Sequence, residues 1–225
     1  MLKGIGASVG IGIGNAVAIK DVELNIKKRT IDNCETELEL FNKALEHTKQ
    51  KSKSMAETLR KRVGNKEAEI LDGHVLLMSD PMLIAEVETG IRTQMLNSEY
   101  VLEDVCERFA AIFESMDNEL MQQRVTDMRD IKTRLQKAVL GLEDVDLSEL
   151  EADSILIAKD LTPSMTAGLD PEKVAGIITQ FGGTTSHSAI LARALEIPAI
   201  LSVAEILDKV SDEDLICMNG ESGEL

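Results

Sequence analysis

The residues best suited to chemistry stand in one run, Gly182-Gly183-Thr184-Thr185-Ser186-His187. Two adjacent glycines let the backbone approach a ligand closely. Thr185 or Ser186 can cap a helix. That puts His187 in the first helical turn, with Ile190, Leu191, Ala194 and Leu195 as its buried face. Backbone amides and the positive end of a helix dipole favour an anion at such a spot. The same field disfavours an imidazolium, so the ring stays neutral and keeps a lone pair for use as a nucleophile. A phosphoryl group carried on that ring would be stabilised by the helix end and the nearby hydroxyls. An isolated histidine in a helix is more often an ordinary core or surface residue, and His47 and His74 take that reading on local pattern alone. For His187 the same reading must also account for two glycines, three hydroxyls and a helix start gathered at one ring. A Ser/His hydrolase using Ser186 or Ser188 is a poor alternative. Neighbours in one helical turn point apart, and no orienting acid is placed by the sequence.

The loop and helix need a scaffold. Short β-type runs appear at 155–157, 174–178, 199–201 and 215–217, with helical stretches and Pro or Gly turns between them, which is α/β texture. Residues 4–19 (GIGASVGIGIGNAVAI) tempt one toward a dinucleotide fingerprint. That motif must open a helix, whereas Ala16-Val17-Ala18-Ile19 looks like a strand, so a glycine-punctuated strand pair is expected. Between the two β-rich regions the texture is helical. Leu38, Phe41, Leu45, Thr48, Ser52, Met55, Leu59 and Arg62 recur in steps of three and four, and Gly64-Asn65 ends that helix. Ser79-Asp80-Pro81 breaks a second helix and starts a third. A fourth is expected to bury Val101, Val105, Phe109, Ile112, Met116 and Leu120, and a fifth Val125, Met128, Ile131, Leu135 and Leu142. Short loops imply antiparallel neighbours in a bundle. The N-terminal strands find no partners in that block. The economical arrangement is one α/β domain from 1–20 plus 146–225, with a helical domain, 31–143, inserted into it.

Composition narrows the classes. The formal net charge is −16, which repels nucleic acid and anionic lipid and suits a basic protein partner, although solubility alone would also explain it. Aromatic residues make up 2% and tryptophan is absent, leaving no base-stacking platform. The three cysteines are widely spaced without a CxxC, and the three histidines join them in no zinc-like spacing, so no metal site is expected and a reducing cytoplasm fits. No apolar run approaches the ~20 residues of a membrane span.

The stretch GGTTSHSAILARALEIPAI resembles the phosphohistidine motif of the phosphoenolpyruvate-utilising enzymes. Asp160-Leu161-Thr162-Pro163-Ser164-x-Thr166 and the opening Gly4-x-Gly6-Ala7-Ser8-x-Gly10-Ile11 resemble segments of enzyme I of the bacterial sugar phosphotransferase system. So do Gly73-His74-x-x-Leu77-Met78 and Arg124-x-x-Asp127-x-Arg129-Asp130-Ile131, and the match runs the length of the chain in order. The resemblance implies an α/β swivelling phosphohistidine domain with an inserted all-α bundle that binds the small carrier protein HPr. It implies phosphoryl transfer from phosphoenolpyruvate to His187, through Nε2, and on to HPr. Thr166 then matches the hydroxyl that holds the ring, and Gly182, Gly183, Thr185 and Ser186 match the surrounding loop. Arg193 matches an arginine of the motif, with a packing or capping role set against phosphate contact. His74, Arg124, Asp127 and Arg129 fall in the segments that match the HPr-binding insertion, with helix packing as the plain alternative for each. Position 67, often Lys in that family, is Glu67 here, with Lys66 as a possible substitute. The resemblance further implies that the chain is an N-terminal fragment lacking the barrel that binds phosphoenolpyruvate and Mg2+ and forms the homodimer. The fragment is then expected to be monomeric and inactive with phosphoenolpyruvate alone. A regulatory enzyme I paralogue, a dikinase-type swivelling domain, and a non-catalytic acidic interaction module are the competing readings.

Overall fold

A computed structural model of the chain describes residues 2–19, 24–116, 118–143, 147 and 150–225. Met1, Lys20 and Asp146, which bound the expected domains, lie outside the described residues. Two compact units are present. One comprises Met1–Val22, Thr58–Ala68 and Val145–Leu225, and the other Glu23–Glu57 and Glu69–Asp144. The expected combination of an α/β fold with a helical bundle is observed. No described helix is long and apolar enough to cross a membrane.

Among its described residues the sheet unit has six strands: β1 (Ile5–Ser8), β2 (Ile11–Ile19), β3 (Ser154–Ala158), β4 (Val174–Thr179), β5 (Ala199–Leu201) and β6 (Leu215–Asn219). Their order is β1-β5-β4-β3-β2-β6. β2, β3, β4 and β5 run parallel, while β1 and β6 close the two edges antiparallel. The start of the chain therefore pairs with its tail. β1 and β2 do not pair with each other, contrary to the strand pair expected, because three strands come between them. The glycines answer a steric need rather than a ligand. A Cβ at Gly14 would overlap the Asp153 carbonyl oxygen, and one at Gly176 would strike Met218. β3 is buried along its whole length, as a strand covered on both faces must be, and reads Ser-Ile-Leu-Ile-Ala. Ile155, Ile157, Ile178 and Ile200 pack on one side of the sheet, and Leu156, Ile177, Ala199 and Leu201 on the other. Short helices α6 (Pro163–Ala167), α7 (His187–Ala194) and α8 (Ile206–Lys209) follow the strands.

Among the described residues five helices lie between β2 and β3: α1 (Cys34–Arg62), α2 (Asn65–Met78), α3 (Pro81–Gln94), α4 (Ser98–Glu114) and α5 (Glu119–Val139). Their stops are local. Gly64 has φ +119° between α1 and α2. Asp80 caps α3, its carboxylate accepting from the amides of Met82 at 2.7 Å and Leu83 at 3.4 Å. Asn118 caps α5 by accepting from the Leu120 amide at 2.9 Å. That cap corrects the expected fourth helix, which ends before Met116 and Leu120. Both residues are exposed, as is Ile112, while Leu102, Cys106 and Ala110 take their place in the core. Leu142 lies beyond α5 and is also exposed. Ser52 breaks the apolar pattern of α1 yet is fully buried, because its hydroxyl donates to the Thr48 carbonyl and accepts from Arg134 Nη1 at 3.0 Å. Arg62, expected in the same seam, is exposed and donates to the Leu169 carbonyl.

Candidate functional site: a histidine at a helix start in the sheet unit

His187 is the first residue of α7, half-buried, directly after the glycine loop. Ser186 is the cap, its hydroxyl oxygen accepting from the Ala189 amide at 3.3 Å, while Thr185 is exposed and makes no cap. The helix buries Ser188, Ala189, Leu191 and Ala192. Ser188 was not expected on that face. It goes inward because its hydroxyl bonds Ser186 Oγ at 2.9 Å and donates to Asp160 Oδ1 at 3.4 Å.

Thr166 lies on α6, fully buried. Its hydroxyl donates to the Thr162 carbonyl at 2.6 Å, so the oxygen is left as an acceptor. The loop itself is held by its carbonyls. Ser202 Oγ donates to the Gly182 carbonyl at 2.6 Å, the Ser186 amide to that of Gly183 at 3.0 Å, and Arg193 Nη2 to that of Thr184 at 3.0 Å. Arg193 Nη1 meanwhile donates to the Ala7 carbonyl on β1 at 3.0 Å. Both outer nitrogens of Arg193 are thus spent on backbone, which favours the packing role among those considered for it. The amides of Gly182, Gly183, Thr184 and Thr185 have no protein hydrogen-bond partner among the described residues. Asp160, Ser188 and Ser202 were not singled out as site residues. Asp160 was visible inside its motif, but Ser202 carries no sequence signal beyond following a strand.

The four candidate partner-binding residues fall in the helical unit, and three of them, His74, Arg124 and Asp127, form one cluster. His74 is fully buried, with Nε2 3.1 Å from Asp127 Oδ1 and Nδ1 3.6 Å from Asp130 Oδ2. Arg124 Nη1 bonds Asp127 Oδ2 at 3.2 Å and also closes over Gly73. Asp127 is 3% exposed. Neither His74 nor Asp127 has surface to offer a partner, which corrects the expectation of direct contact from them. Arg124 is partly exposed, and Arg129 is exposed and bonds Glu107 at 3.5 Å.

What the sequence reading missed is apolar. Leu76, Met82, Ile112, Met116 and Leu120 are between 42% and 72% exposed. All belong to one end of the helical unit. α2 ends where α3 begins, Glu86 of α3 meets Arg108 of α4 at 3.1 Å, and Gln122 of α5 donates to the Glu114 carbonyl of α4 at 3.2 Å. A cluster of exposed large apolar side chains is a common mark of a protein-docking surface. The signal available in the sequence was their position beside the helix breaks at Ser79-Asp80 and Asn118.

Comparison with known proteins adds lineage. The profile described as "PEP-utilising enzyme, N-terminal" matches residues 3–124, and that described as "PEP-utilising enzyme, mobile domain" matches residues 150–223. A phosphoenolpyruvate-protein phosphotransferase of Bacillus subtilis is 38% identical over 224 residues, covering 100% of this chain and 39% of the relative. One from Mycoplasma capricolum is 38% identical over 222 residues, covering 99% and 39%. The chain thus spans well under half the length of these curated relatives. Among solved structures, a solution structure of an "Enzyme I (nEIt) protein" superposes with TM-score 0.84 at 39% identity, covering 100% of this chain and 91% of the other. An "N-terminal domain of Enzyme 1 - Nitrogen" superposes with TM-score 0.69 at 22% identity, covering 100% and 92%, and shares the fold.

Proposed function

The chain belongs to the PEP-utilising enzymes, and from that premise we propose that it is the phosphoryl-carrying N-terminal part of an enzyme I of the bacterial sugar phosphotransferase system. The observation that carries this reading is His187 at the start of α7, directly behind a loop whose carbonyls are bound and whose amides are not. In the proposed reaction the Nε2 lone pair attacks phosphorus. The P–N bond forms as the P–O ester bond of phosphoenolpyruvate breaks, and the enolate of pyruvate leaves with the electron pair. A histidine of HPr then attacks the same phosphorus, and the P–N electrons return to His187. The ring proton stays on Nδ1 throughout, with Thr166 Oγ1 as the acceptor that selects this tautomer, since its own proton is committed to the Thr162 carbonyl. The amides of Gly183 and of the residues after it, together with the helix start, stabilise the phosphoryl oxygens.

The two domains of this reading are 1–20 plus 146–225 for the phosphohistidine domain and 31–143 for the HPr-binding domain. HPr docks on the apolar end of the helical unit, with Arg124 beside it and His74 and Asp127 supporting Arg124 from within. The chain's acidity, at −16, speeds the approach of a basic carrier. Among the described residues no three His, Cys, Asp or Glu side chains come together as metal ligands would. Mg2+ and phosphoenolpyruvate are proposed to bind the remainder of the full-length enzyme, which dimerises and works in the cytoplasm. The test is incubation of this chain with phospho-HPr and, separately, with phosphoenolpyruvate and Mg2+, followed by intact mass and peptide mapping. One acid-labile phosphoryl group on His187 is expected from phospho-HPr and none from phosphoenolpyruvate. No transfer from phospho-HPr, or transfer to another residue, would overturn the reading.

A further inference from the structure

Ser202 lies just beyond β5, exposed, with φ +57°. A non-glycine residue there is uncommon and costs energy. Its hydroxyl makes one of the shorter hydrogen bonds in the unit, donating to the Gly182 carbonyl at 2.6 Å. Gly182, itself at φ +105°, stands among the polar atoms of the site. A Cβ there would be 3.6 Å from both Asp160 Oδ1 and Ser186 Oγ, and 3.7 Å from Thr179 Oγ1.

No cis peptide is present among the described residues, and in a trans peptide the C=O and the next residue's N–H point in opposite directions within one plane. A fixed carbonyl therefore fixes the amide that follows it. Three consecutive peptide planes are set this way: Ser202 on the Gly182 carbonyl aims the Gly183 amide, the Ser186 amide on the Gly183 carbonyl aims that of Thr184, and Arg193 on the Thr184 carbonyl aims that of Thr185. The middle anchor belongs to the loop itself. The outer two come from side chains elsewhere in the fold.

We propose that Ser202 is a positioning residue for phosphoryl transfer: it acts by orienting the Gly183 amide as a donor to the phosphoryl oxygens. The proposal rests on the reading of His187 given above. It accounts for a serine at a conformation that a glycine would occupy without strain, because glycine would lack the hydroxyl.

Two variants of the whole chain test it. Ser202→Gly relieves the backbone and removes the donor. Ser202→Asn tolerates the same φ and keeps a donor. Phosphoryl acceptance from phospho-HPr is followed by rapid quench across carrier concentrations, alongside thermal melting and backbone 15N relaxation. Ser202→Gly is expected to melt no lower than the parent and to accept phosphoryl about fivefold more slowly at saturation, as the loss of one oriented hydrogen bond predicts. Half-saturation should be unchanged, and the order parameters of the 183–185 amides should fall. Ser202→Asn should recover both rate and order. Unchanged order parameters at 183–185 in Ser202→Gly overturn the proposal whatever the rate does, and so does a parental transfer rate despite lower order. If the parent chain itself takes no phosphoryl group, the reading of His187 fails, and the order-parameter comparison still decides whether Ser202 orients the loop.

Discussion

Among the described residues, the polar side chains buried in the sheet unit are all hydroxyls: Ser8, Ser154, Ser164, Thr166, Thr179 and Ser188. The helical unit buries hydroxyls as well, at Thr48, Ser52 and Ser98, but adds ionisable and amide groups: His74, Asp127, Asp130, Arg134, Glu37, Glu99, Lys137, Gln136 and Asn97. A buried charge must be paired, and the pairing fixes one arrangement of the helices around it. A buried hydroxyl costs little, can donate or accept, and can be turned toward a neighbour. The unit proposed to hold a transient anion thus keeps permanent charge out of its interior, while the unit proposed to dock a protein uses permanent charge to hold its shape. His74, Asp127 and Asp130 are spent on one another inside the helical unit, and the proposed chemistry sits where the buried polar groups are small and neutral.

The sharpest way to break this contrast is at His187. His187→Ala is expected to abolish phosphoryl acceptance, since the covalent route needs the ring nitrogen, and to shift stability by no more than about 1 kcal/mol, because the ring is half-buried at a helix start. Phosphate retained on the variant, or phosphate lost together with the fold, would each remove His187 from the proposed mechanism. Asp127→Ala should show the opposite pattern. It strips His74 Nε2 and Arg124 Nη1 of their shared acceptor and leaves a fully buried imidazole behind. A cost of about 3 kcal/mol is expected in denaturant unfolding, with exchange protection lost first in α2 and α5. A near-neutral melt would mean that the buried charges do not hold the bundle.

Much of this layout is legible in the residues alone. Periodicity finds the helices because Leu38, Phe41 and Leu45 face one seam, and Asp80-Pro81 and Gly64 stop helices here for local steric reasons. The glycine loop, the helix start and His187 form a continuous stretch, so their proximity needs no tertiary knowledge. What resists reading is whatever depends on a distant partner. Ser52 looks like a flaw in an apolar stripe until Arg134, far along the chain, arrives to bond it. Ile112, Met116 and Leu120 continue the spacing of a buried face, and only the Asn118 cap turns the chain and leaves them in water. Likewise His74 and Asp127 give no sign that they face each other rather than solvent.

Two smaller effects sharpen the contrast. Leu76→Ser should weaken phospho-HPr binding by about tenfold if Leu76 is part of the docking centre, with stability changed by less than about 0.5 kcal/mol because the side chain is already exposed. Titration calorimetry against HPr and a melting curve decide it, and an unchanged affinity moves the docking site elsewhere. Thr166→Val keeps shape and burial while deleting the hydroxyl. The Thr162 carbonyl also accepts the Thr166 amide at 3.0 Å, so it is not left unsatisfied and the folding cost stays low. The acceptor proposed for the ring, once lost, is worth roughly 1 kcal/mol, a several-fold slower transfer. Equal rates would show that Thr166 does not set the tautomer.

The smallest effect is a pH dependence that belongs to the helical unit alone. Lys132 bridges Glu103 at 2.8 Å and Glu107 at 2.7 Å. Burial works against its charge, but the two carboxylates outweigh burial and hold the ammonium above its ordinary value of 10.5. Glu103 is the converse case. Burial pushes it up, while its hydrogen bonds from Lys132 and Gln136 prevail and carry it below its ordinary 4.5. A raised lysine binds its proton more tightly when folded, so its stabilisation is complete below 10.5 and fades as pH climbs through the higher folded value. A lowered carboxylate contributes fully above 4.5 and loses its contribution as pH falls through the lower folded value. Between the two limits the bridge is intact and stability should be flat with respect to these groups. Lys132→Met removes the charge that drives both shifts, so the parent-minus-variant stability difference should shrink at each limit. The groups are partly solvated, so the difference at the plateau should stay below about 1 kcal/mol and weaken with added salt. Urea unfolding of parent and variant from acid to alkaline pH tests this. A difference that stays constant across the whole range would mean that Lys132 contributes packing through its methylenes rather than charge.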